Sequence, residues 1–570
     1  LIGEGESPTD ALPHGSEDEV DIAELPIDEL CAVLRRPSSG EPTTLPFGEL
    51  LQPLVDNAAS PIAALAHRHS WLCAAVPGLK AHLLGRLTSI AAVPLYLWFR
   101  VHSQEGCVAD EQAFRLAMTS GNRSPSWSGF FSEYPELARL LAVVVAHWQA
   151  ASSEFLQRLV ADCAALTEFL QASELQIEQV AAGLSDAHDR GRSVIQVGFR
   201  DGHRVAYKPR PLEAEAVFAR LLEQIAVGDP GRGIPSAAVL SRPTHGWMAW
   251  LEPSPPSDSG AWYAAAGRMQ CLLQSLGAAD AHMANCVATP EGPALIDCEC
   301  LFTPKAAAEG QEVIRSGQPA ASGEVGPAEA AADETDEILS RIQRSLFLPD
   351  PRRPAGEPDL SGLFGRGGQP TGYRIPVWSH SSPDGLGVAF VPAALRPQAN
   401  LIPAAAQPIS KMAACAAFLG GFSEMHDYLA RHSAEVLGVC AALRERPTRV
   451  LLRNTRRYTH ILSSSIHPRC LRDREQRRRV IASLLLEDPL AVPSGTADDI
   501  VATEMEALER LDIPFFHGAD RDLVGEGRIL AREFFASSGY DEAGGRLAGL
   551  AQEKVDRTLS ALRLLWIMTL

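Results

Sequence analysis

The sequence holds eleven cysteines and no Cys-x-x-Cys pair. Their irregular spacing excludes a disulfide-dense secreted scaffold and points to a reduced, intracellular, cytoplasmic protein. Long apolar runs are also missing. The best candidate, Ala81 to Val101, is interrupted by Arg86 and Pro94, so no integral membrane segment is expected. No signal peptide and no internal repeat are visible. Basic charge is absent from one whole stretch: between Glu4 and Glu29 there are ten acidic residues and no Lys or Arg. Such a run reads as a disordered, solvated tail, with an acidic docking segment as the alternative. A net charge of -19 argues against non-specific nucleic-acid binding, and no nucleic-acid partner is expected.

What is present is ordinary globular composition, 46% hydrophobic and 21% charged over 570 residues, with room for several domains. Five stretches are expected: an acidic segment over 1–40, a helical region over 41–185, a nucleotide-binding core over 186–303, a flexible insert over 304–400 and a helical part over 401–570. In the second, Leu137, Leu140, Leu141 and Val144 share a helical face, as do Leu156, Leu159, Val160 and Cys163. Ser193 to Phe199 and Arg204 to Lys208 read as two strands around an Asp201-Gly202 turn. Met269, Leu272, Leu273 and Leu276 read as a helix capped by Gly277, and Ala294 to Asp297 as a short buried strand. Lys305 to about Glu337 and Pro349 to Gly372 read as mobile loops. The chain starts on Leu1 and stops on the apolar run Leu562 to Leu570, which reads as a piece of a longer protein.

The strongest chemical signal is Gly277-Ala278-Ala279-Asp280-Ala281-His282-Met283-Ala284-Asn285, followed by Leu295-Ile296-Asp297-Cys298-Glu299. Phosphoryl transfer from ATP needs a carboxylate at the attacking hydroxyl, and an amide oxygen with a second carboxylate to hold Mg2+ against the phosphates. Asp280 and Asn285 have the spacing of a kinase catalytic loop, and Asp297 follows an apolar strand. The Asp-x-His-x-x-Asn order looks like that of phosphoinositide and related lipid kinases. Lys208, ending the second strand, is placed to pair the phosphates. No G-x-G-x-x-G loop precedes it; Asp186, His188, Gly191 and Arg192 occupy that place. Taken singly, each of these residues reads as a turn, cap or solvated group. Cys298 and Cys300 would share a strand face, but nothing completes a zinc set.

A second cluster is basic and runs from Arg446 through Arg449, Arg453, Thr455, Arg456 and Arg457 to Arg477–Arg479. Arg forks suit phosphate. Arg449 and Arg453 would project towards a common point on a helix, and would also share a face on a strand. Arg472 to Arg479, interleaved with Asp473 and Glu475, reads as a solvated face.

Several segments together resemble the dehydratase portion of class II lanthipeptide synthetases. They are Pro135-Glu136-Leu137-Ala138-Arg139 with Trp148, Tyr207-Lys208-Pro209-Arg210, the Asp280 and Asp297 motifs, Arg453-Asn454-Thr455-Arg456-Arg457-Tyr458 and Asp512-Ile513-Pro514-Phe515-Phe516. The resemblance implies an α+β, mostly helical fold with a two-lobed, lipid-kinase-like core and large helical additions. It implies ATP-dependent phosphorylation of Ser or Thr in a precursor peptide, then phosphate elimination to dehydroalanine or dehydrobutyrine. Asp280, His282, Asn285, Asp297 and Glu299 would serve phosphorylation, with Asn285 and Asp297 on magnesium. Asp186, His188, Lys208, Arg449 and Thr455 match the elimination-linked positions. Asp189 stands where an Asn is common. The family's cyclase carries a Cys/His zinc set, and no Cys follows Cys470, so cyclisation is not expected of these 570 residues, and the cyclase is expected either as a further domain of a longer chain or as a separate partner. The competing readings are a kinase for a small molecule or lipid, which needs no Arg449 and Thr455 function, and a peptide-positioning pseudokinase, against which the Lys208, Asp280, Asn285 and Asp297 set speaks.

Overall fold

Apolar residues at helical spacing dominate the first third of the chain, and they fold as a helical assembly. In the computed structural model this assembly comprises α1 (Ile27–Leu34), α2 (Gly48–His67), α3 (Ala75–Gln104), α4 (Glu111–Ser120), α5 (Trp127–Glu133), α6 (Pro135–Ala161) and α7 (Cys163–Phe169). The structure describes residues 26–37, 43–120, 124–228, 233–306, 336–354, 356–382, 385–490, 492 and 495–569. Pro135 opens α6, where its missing N–H is not needed. The predicted stripe Leu137, Leu140, Leu141, Val144, Leu156 and Leu159 is buried, whereas Val160 and Cys163 are half-buried. One correction falls in the acidic stretch. Ile27–Leu34 is helical and buries Leu30, Cys31, Val33 and Leu34; the expected tail over 1–25 lies outside the described residues.

A five-stranded antiparallel sheet follows, made of β1 (Ile177–Ala181), β2 (Ile195–Phe199), β3 (Arg204–Lys208), β4 (Val239–Ser241) and β5 (Gly246–Ala249), in the order β1-β2-β3-β5-β4. The β2–β3 hairpin turns at Asp201-Gly202 as its sequence predicts, with Ile195 opposite Tyr207 and Val197 opposite Val205. Val197, Val205 and Trp247 join Phe155 and Leu159 of α6 in one core. Lys208 therefore leaves the end of a strand anchored on both sides.

α8 (Glu213–Gly228) and α9 (Ser259–Leu276) lead to the hairpin of β6 (Cys286–Thr289) and β7 (Gly292–Leu295). α9 packs backbone to backbone on α11 (Lys411–Val439): a Cβ on Gly267 would lie 1.9 Å from the Phe418 carbonyl oxygen. Only glycine permits that approach. Trp262, Leu272, Phe418, Phe422, Leu565 and Trp566 fill this second core.

The stretch 304–400 departs from the expected flexible insert, although most of the Lys305 to Glu337 loop lies outside the described residues. Residues 336–343 are helical (α10), and β8 (Pro370–Ser382) pairs with β9 (Gly385–Ala394). The Pro349 to Gly372 stretch is packed against the Asp280 loop. Met283 donates its N–H to Leu360 at 2.8 Å, and Asn400 Nδ2 donates to Gly362 and Gly365 at 3.0 Å each. Gly362, Gly365 and Gly367 serve close packing, since a Cβ on each would lie 2.4–2.6 Å from a backbone atom, which composition alone reads as looseness.

The last part adds α12 (Thr455–Ser465), α13 (Pro468–Leu471), α14 (Arg474–Leu486), α15 (Thr496–Glu509), α16 (Gly539–Gly549) and α17 (Val555–Thr569). It also holds an unpredicted four-stranded antiparallel sheet of β10 (Thr448–Val450), β11 (Phe516–Ala519), β12 (Asp522–Gly525) and β13 (Arg528–Ala531). These strands are too short to show period-two alternation clearly. The architecture is α+β and mostly helical, at 52% helix with small antiparallel sheets.

Candidate functional site

The Asp280 loop begins where Gly277 ends α9 in a left-handed conformation (φ 70). Asp280 is also left-handed (φ 64), a geometry held from both sides. Ala279 donates its N–H to Cys300 at 3.0 Å and Ala281 to Ser345 at 2.7 Å. Asn285 Nδ2 donates to the Asp280 carbonyl at 2.8 Å, which leaves Oδ1 as the available ligand atom. His282 Nε2 lies 3.6 Å from Asp280 Oδ1. Burial raises the Asp280 carboxyl above its ordinary range, and the charges of Asp297 and Glu299 add to this against His282 and Arg449.

Asp297 and Glu299 stand just past β7, among cations. Lys208 Nζ donates to the Ile296 carbonyl and lies 3.3 Å from Asp297 Oδ2 and 3.8 Å from Glu215 of α8. Arg210 bridges Asp297 at 2.7 Å, Glu215 at 2.6 Å and Glu299 at 3.1 Å. Arg449 pairs with Glu299. Burial works against ionisation of Asp297, but Arg210 and Lys208 outweigh it and hold the carboxyl well below the usual range. Arg449 reaches the site because its strand docks there: the Arg449 N–H donates to the Glu299 carbonyl at 3.0 Å.

The turn after β1 supplies Asp186 and His188. His188 Nδ1 lies 2.9 Å from the Ile513 carbonyl. A carbonyl only accepts, so Nδ1 carries the proton and Nε2 of the neutral ring is the basic nitrogen. Burial, then the Arg449 charge, lowers the His188 pKa, so the ring is neutral near pH 7. Phe515 ties the two together. Its ring meets His188 edge-on at 6.0 Å and lies 5.2 Å below the Arg449 guanidinium.

One cavity of about 1020 Å³ gathers most of these groups. Asp186, His188, Lys208, Asp280, His282, Asn285, Asp297, Glu299, Arg449 and Thr455 all line it. Thr455 opens α12, whose N-cap is Asn454. Arg210, Glu215 and Phe515 were not singled out from sequence. Arg210 belongs to the Tyr207-Lys208-Pro209-Arg210 segment, but two of its carboxylate partners, Asp297 and Glu299, are remote in the chain.

Other expectations are corrected. Arg449 and Arg453 do not converge. Arg453 is buried away from the cavity, with Nε 2.7 Å from Glu504, which also accepts from Tyr458 at 2.6 Å. Arg477 belongs to no solvated face: it is 0% exposed and donates to the Glu136 carboxylate and to the Leu508 and Glu509 carbonyls. Cys298 and Cys300 are buried, and burial pushes both thiols up. Among the described residues no group of three or more His, Cys, Asp or Glu is arranged to hold a metal ion. No described helix is long and apolar enough to cross a membrane.

Residues 134–518 match the family described as "Domain of unknown function (DUF4135)", which covers more than half of the chain, and the chain belongs to that family. No curated protein matches it.

Proposed function

We propose that this member of the DUF4135 family is a peptide dehydratase. It phosphorylates Ser or Thr of a precursor peptide with ATP and then eliminates the phosphate, as the resemblance to class II lanthipeptide synthetases implies. The observation that carries the reading is the single cavity lined by all ten residues assigned to the two steps, although they span Asp186 to Thr455 in sequence. The five-stranded sheet that carries Lys208, followed by α9 and the β6–β7 hairpin that flank Asp280 and Asp297, supports a kinase-like, two-lobed core.

The residues fit magnesium as an oxygen site. Asn285 Oδ1 and the ionised Asp297 are hard ligands, and Mg2+ uses one or two such groups plus substrate phosphates rather than an all-protein cage. Arg210 and Lys208 hold the two Asp297 oxygens at 2.7 and 3.3 Å, and one of them would have to give way for Asp297 to serve as a ligand. When bound, the ion neutralises charge on the phosphates.

In the first step Asp280 accepts the proton of the peptide hydroxyl. Its raised pKa makes it a better base than an ordinary carboxylate. The hydroxyl oxygen bonds to the γ-phosphorus of ATP, the bond to ADP breaks, and Lys208 pairs with the phosphates. In the second step a base takes the Cα proton, the carbon–oxygen bond at Cβ breaks, and phosphate leaves with the electron pair. His188 Nε2 has the protonation state of such a base. Arg449, Lys208 and the Thr455 hydroxyl stabilise the departing charge.

The decisive experiment incubates the protein with ATP, magnesium and a precursor peptide encoded beside its gene. Mass spectrometry should show peptide lighter by multiples of one water. An unchanged mass with the genuine precursor overturns the reading.

A further inference from the structure

On the dehydratase reading above, we infer that Asp512 is a positioning residue for the elimination step, its buried carboxylate holding the turn that carries Asp186 and His188. Asp512 is 1% exposed and follows α15 after a left-handed Leu511 (φ 64). Its Oδ2 accepts the N–H of Arg190 at 2.7 Å, and its Oδ1 accepts that of Gly191 at 2.9 Å. These consecutive amides lie in a turn closed by the backbone bonds between His188 and Arg192, at 3.0 and 2.8 Å.

Asp189, Arg190 and Gly191 are all left-handed (φ 42, 64 and 77). Side-chain-bearing residues keep that conformation only where their surroundings enforce it. Neighbouring amides turned inward in this way form a concave nest that favours an anion. The following residue completes the clamp. Ile513 donates its N–H to the Ala187 carbonyl at 2.8 Å and accepts from His188 Nδ1 at 2.9 Å. One dipeptide thus holds four points of the turn.

The packing leaves little slack. A Cβ on Gly191 would lie 3.1 Å from His147 Cβ and 3.5 Å from Arg86 Nη1. The charges acting on Asp512 are Arg86 of α3 and Arg510 at the end of α15; both also act on His147 of α6, which faces Gly191, together with Arg190 and Arg192 of the turn. Burial raises the Asp512 carboxyl to about 6 against the pull of Arg86 and the two amides. The hydrogen bonds of its side chain fall on the turn, so its effect belongs to His188 and Asp186 rather than to the Asp280 and Asp297 centre.

Asp512→Asn tests this. An amide offers one acceptor where the turn needs two, and sets an N–H2 against a backbone N–H. The probes are the precursor encoded beside the gene and the same peptide synthesised with phosphoserine. Asp512→Asn should phosphorylate at the wild-type rate but eliminate about 10²-fold more slowly, the scale of a misplaced reacting group, so phosphopeptide accumulates. Equal elimination by both proteins, or parallel loss of both steps, overturns the role. Hydrogen exchange on the wild type gives a second measurement: the Arg190 and Gly191 amides should be protected, and free exchange there overturns the clamp without any variant. A wild type that phosphorylates nothing overturns the dehydratase reading itself, whereas a dehydrating wild type beside an equally dehydrating variant overturns the role of Asp512 alone.

Discussion

At the residue scale, three cations and three carboxylates share one buried network: Lys208, Arg210 and Arg449 against Glu215, Asp297 and Glu299. Removing one partner from such a network leaves an uncompensated buried charge, which is strongly unfavourable. On the proposed function, the two ends of the network would serve different steps. Asp297→Ala removes a partner of both Lys208 and Arg210 and, on the proposed function, a magnesium ligand, so phosphopeptide formation should vanish. Arg449→Ala leaves Glu299 with Arg210 as a remaining partner and, on the proposed function, withdraws a donor to the departing phosphate. Removing one such donor typically costs about 10²- to 10³-fold. Phosphopeptide should therefore accumulate on mass spectrometry. Unmodified peptide from Arg449→Ala would assign Arg449 to ATP or substrate binding. Asp280, Asn285 and Asp297 were legible in the sequence because one loop and one hairpin set their spacing. Arg210 was not, because its meaning lies in Glu215 and Asp297, which only folding brings to it.

At the element scale, the helices that support the Asp186 and His188 turn carry a built-in acid sensitivity. His82 of α3 and His147 of α6 both have pKa values lowered to about 4, first by burial and then by nearby arginines. The folded protein keeps these rings neutral, whereas the unfolded chain takes up protons from about pH 6.5 downwards. Their stabilisation is complete above about pH 6.5 and is lost as pH falls towards 4, at about 3 kcal/mol each. Asp512 acts in the opposite sense. Its folded pKa of about 6 lies above the unfolded value, so its contribution improves as pH falls through 6. Two histidines against one aspartate leave a net acid weakening from these three groups. Urea midpoints measured between pH 6.5 and 4 should fall with acid, and the fall should be shallower in His147→Gln. An unchanged slope in that variant would show that His147 does not contribute. Here the sequence indicated the helices and their apolar stripes. It did not indicate the short strands β10 to β13, because three or four residues carry too little periodicity.

At the scale of the whole molecule, the cavity is an assembly product. The sheet brings Lys208, α9 and the β6–β7 hairpin bring Asp280 and Asp297, and the C-terminal sheet brings Arg449. The Pro349 to Gly372 stretch props the Asp280 loop through Leu360, Gly362 and the Cys286 side of the hairpin. On the proposed function, magnesium would be a catalytic ion held mainly by substrate phosphates rather than a structural staple. Chelation should accordingly stop phosphoryl transfer while leaving the thermal unfolding midpoint unchanged. A midpoint that falls on chelation would mean that the ion supports the fold itself.

The sequence by itself determined the local features. Apolar spacing set α6 and α9, Asp201-Gly202 set the β2–β3 turn, and Gly277 set the end of the helix before Asp280, since each depends on neighbours a few residues away. Tertiary structure decided which charges meet. Arg449 and Arg453 lie in one short basic run, yet one enters the cavity and the other is buried against Glu504. The difference comes from β10, whose backbone bond to Glu299 aims one arginine inward, and from α15, whose buried carboxylate claims the other. Long-range pairing of this kind has no local signature, because its energy depends on burial and partner geometry that exist only once the chain has folded.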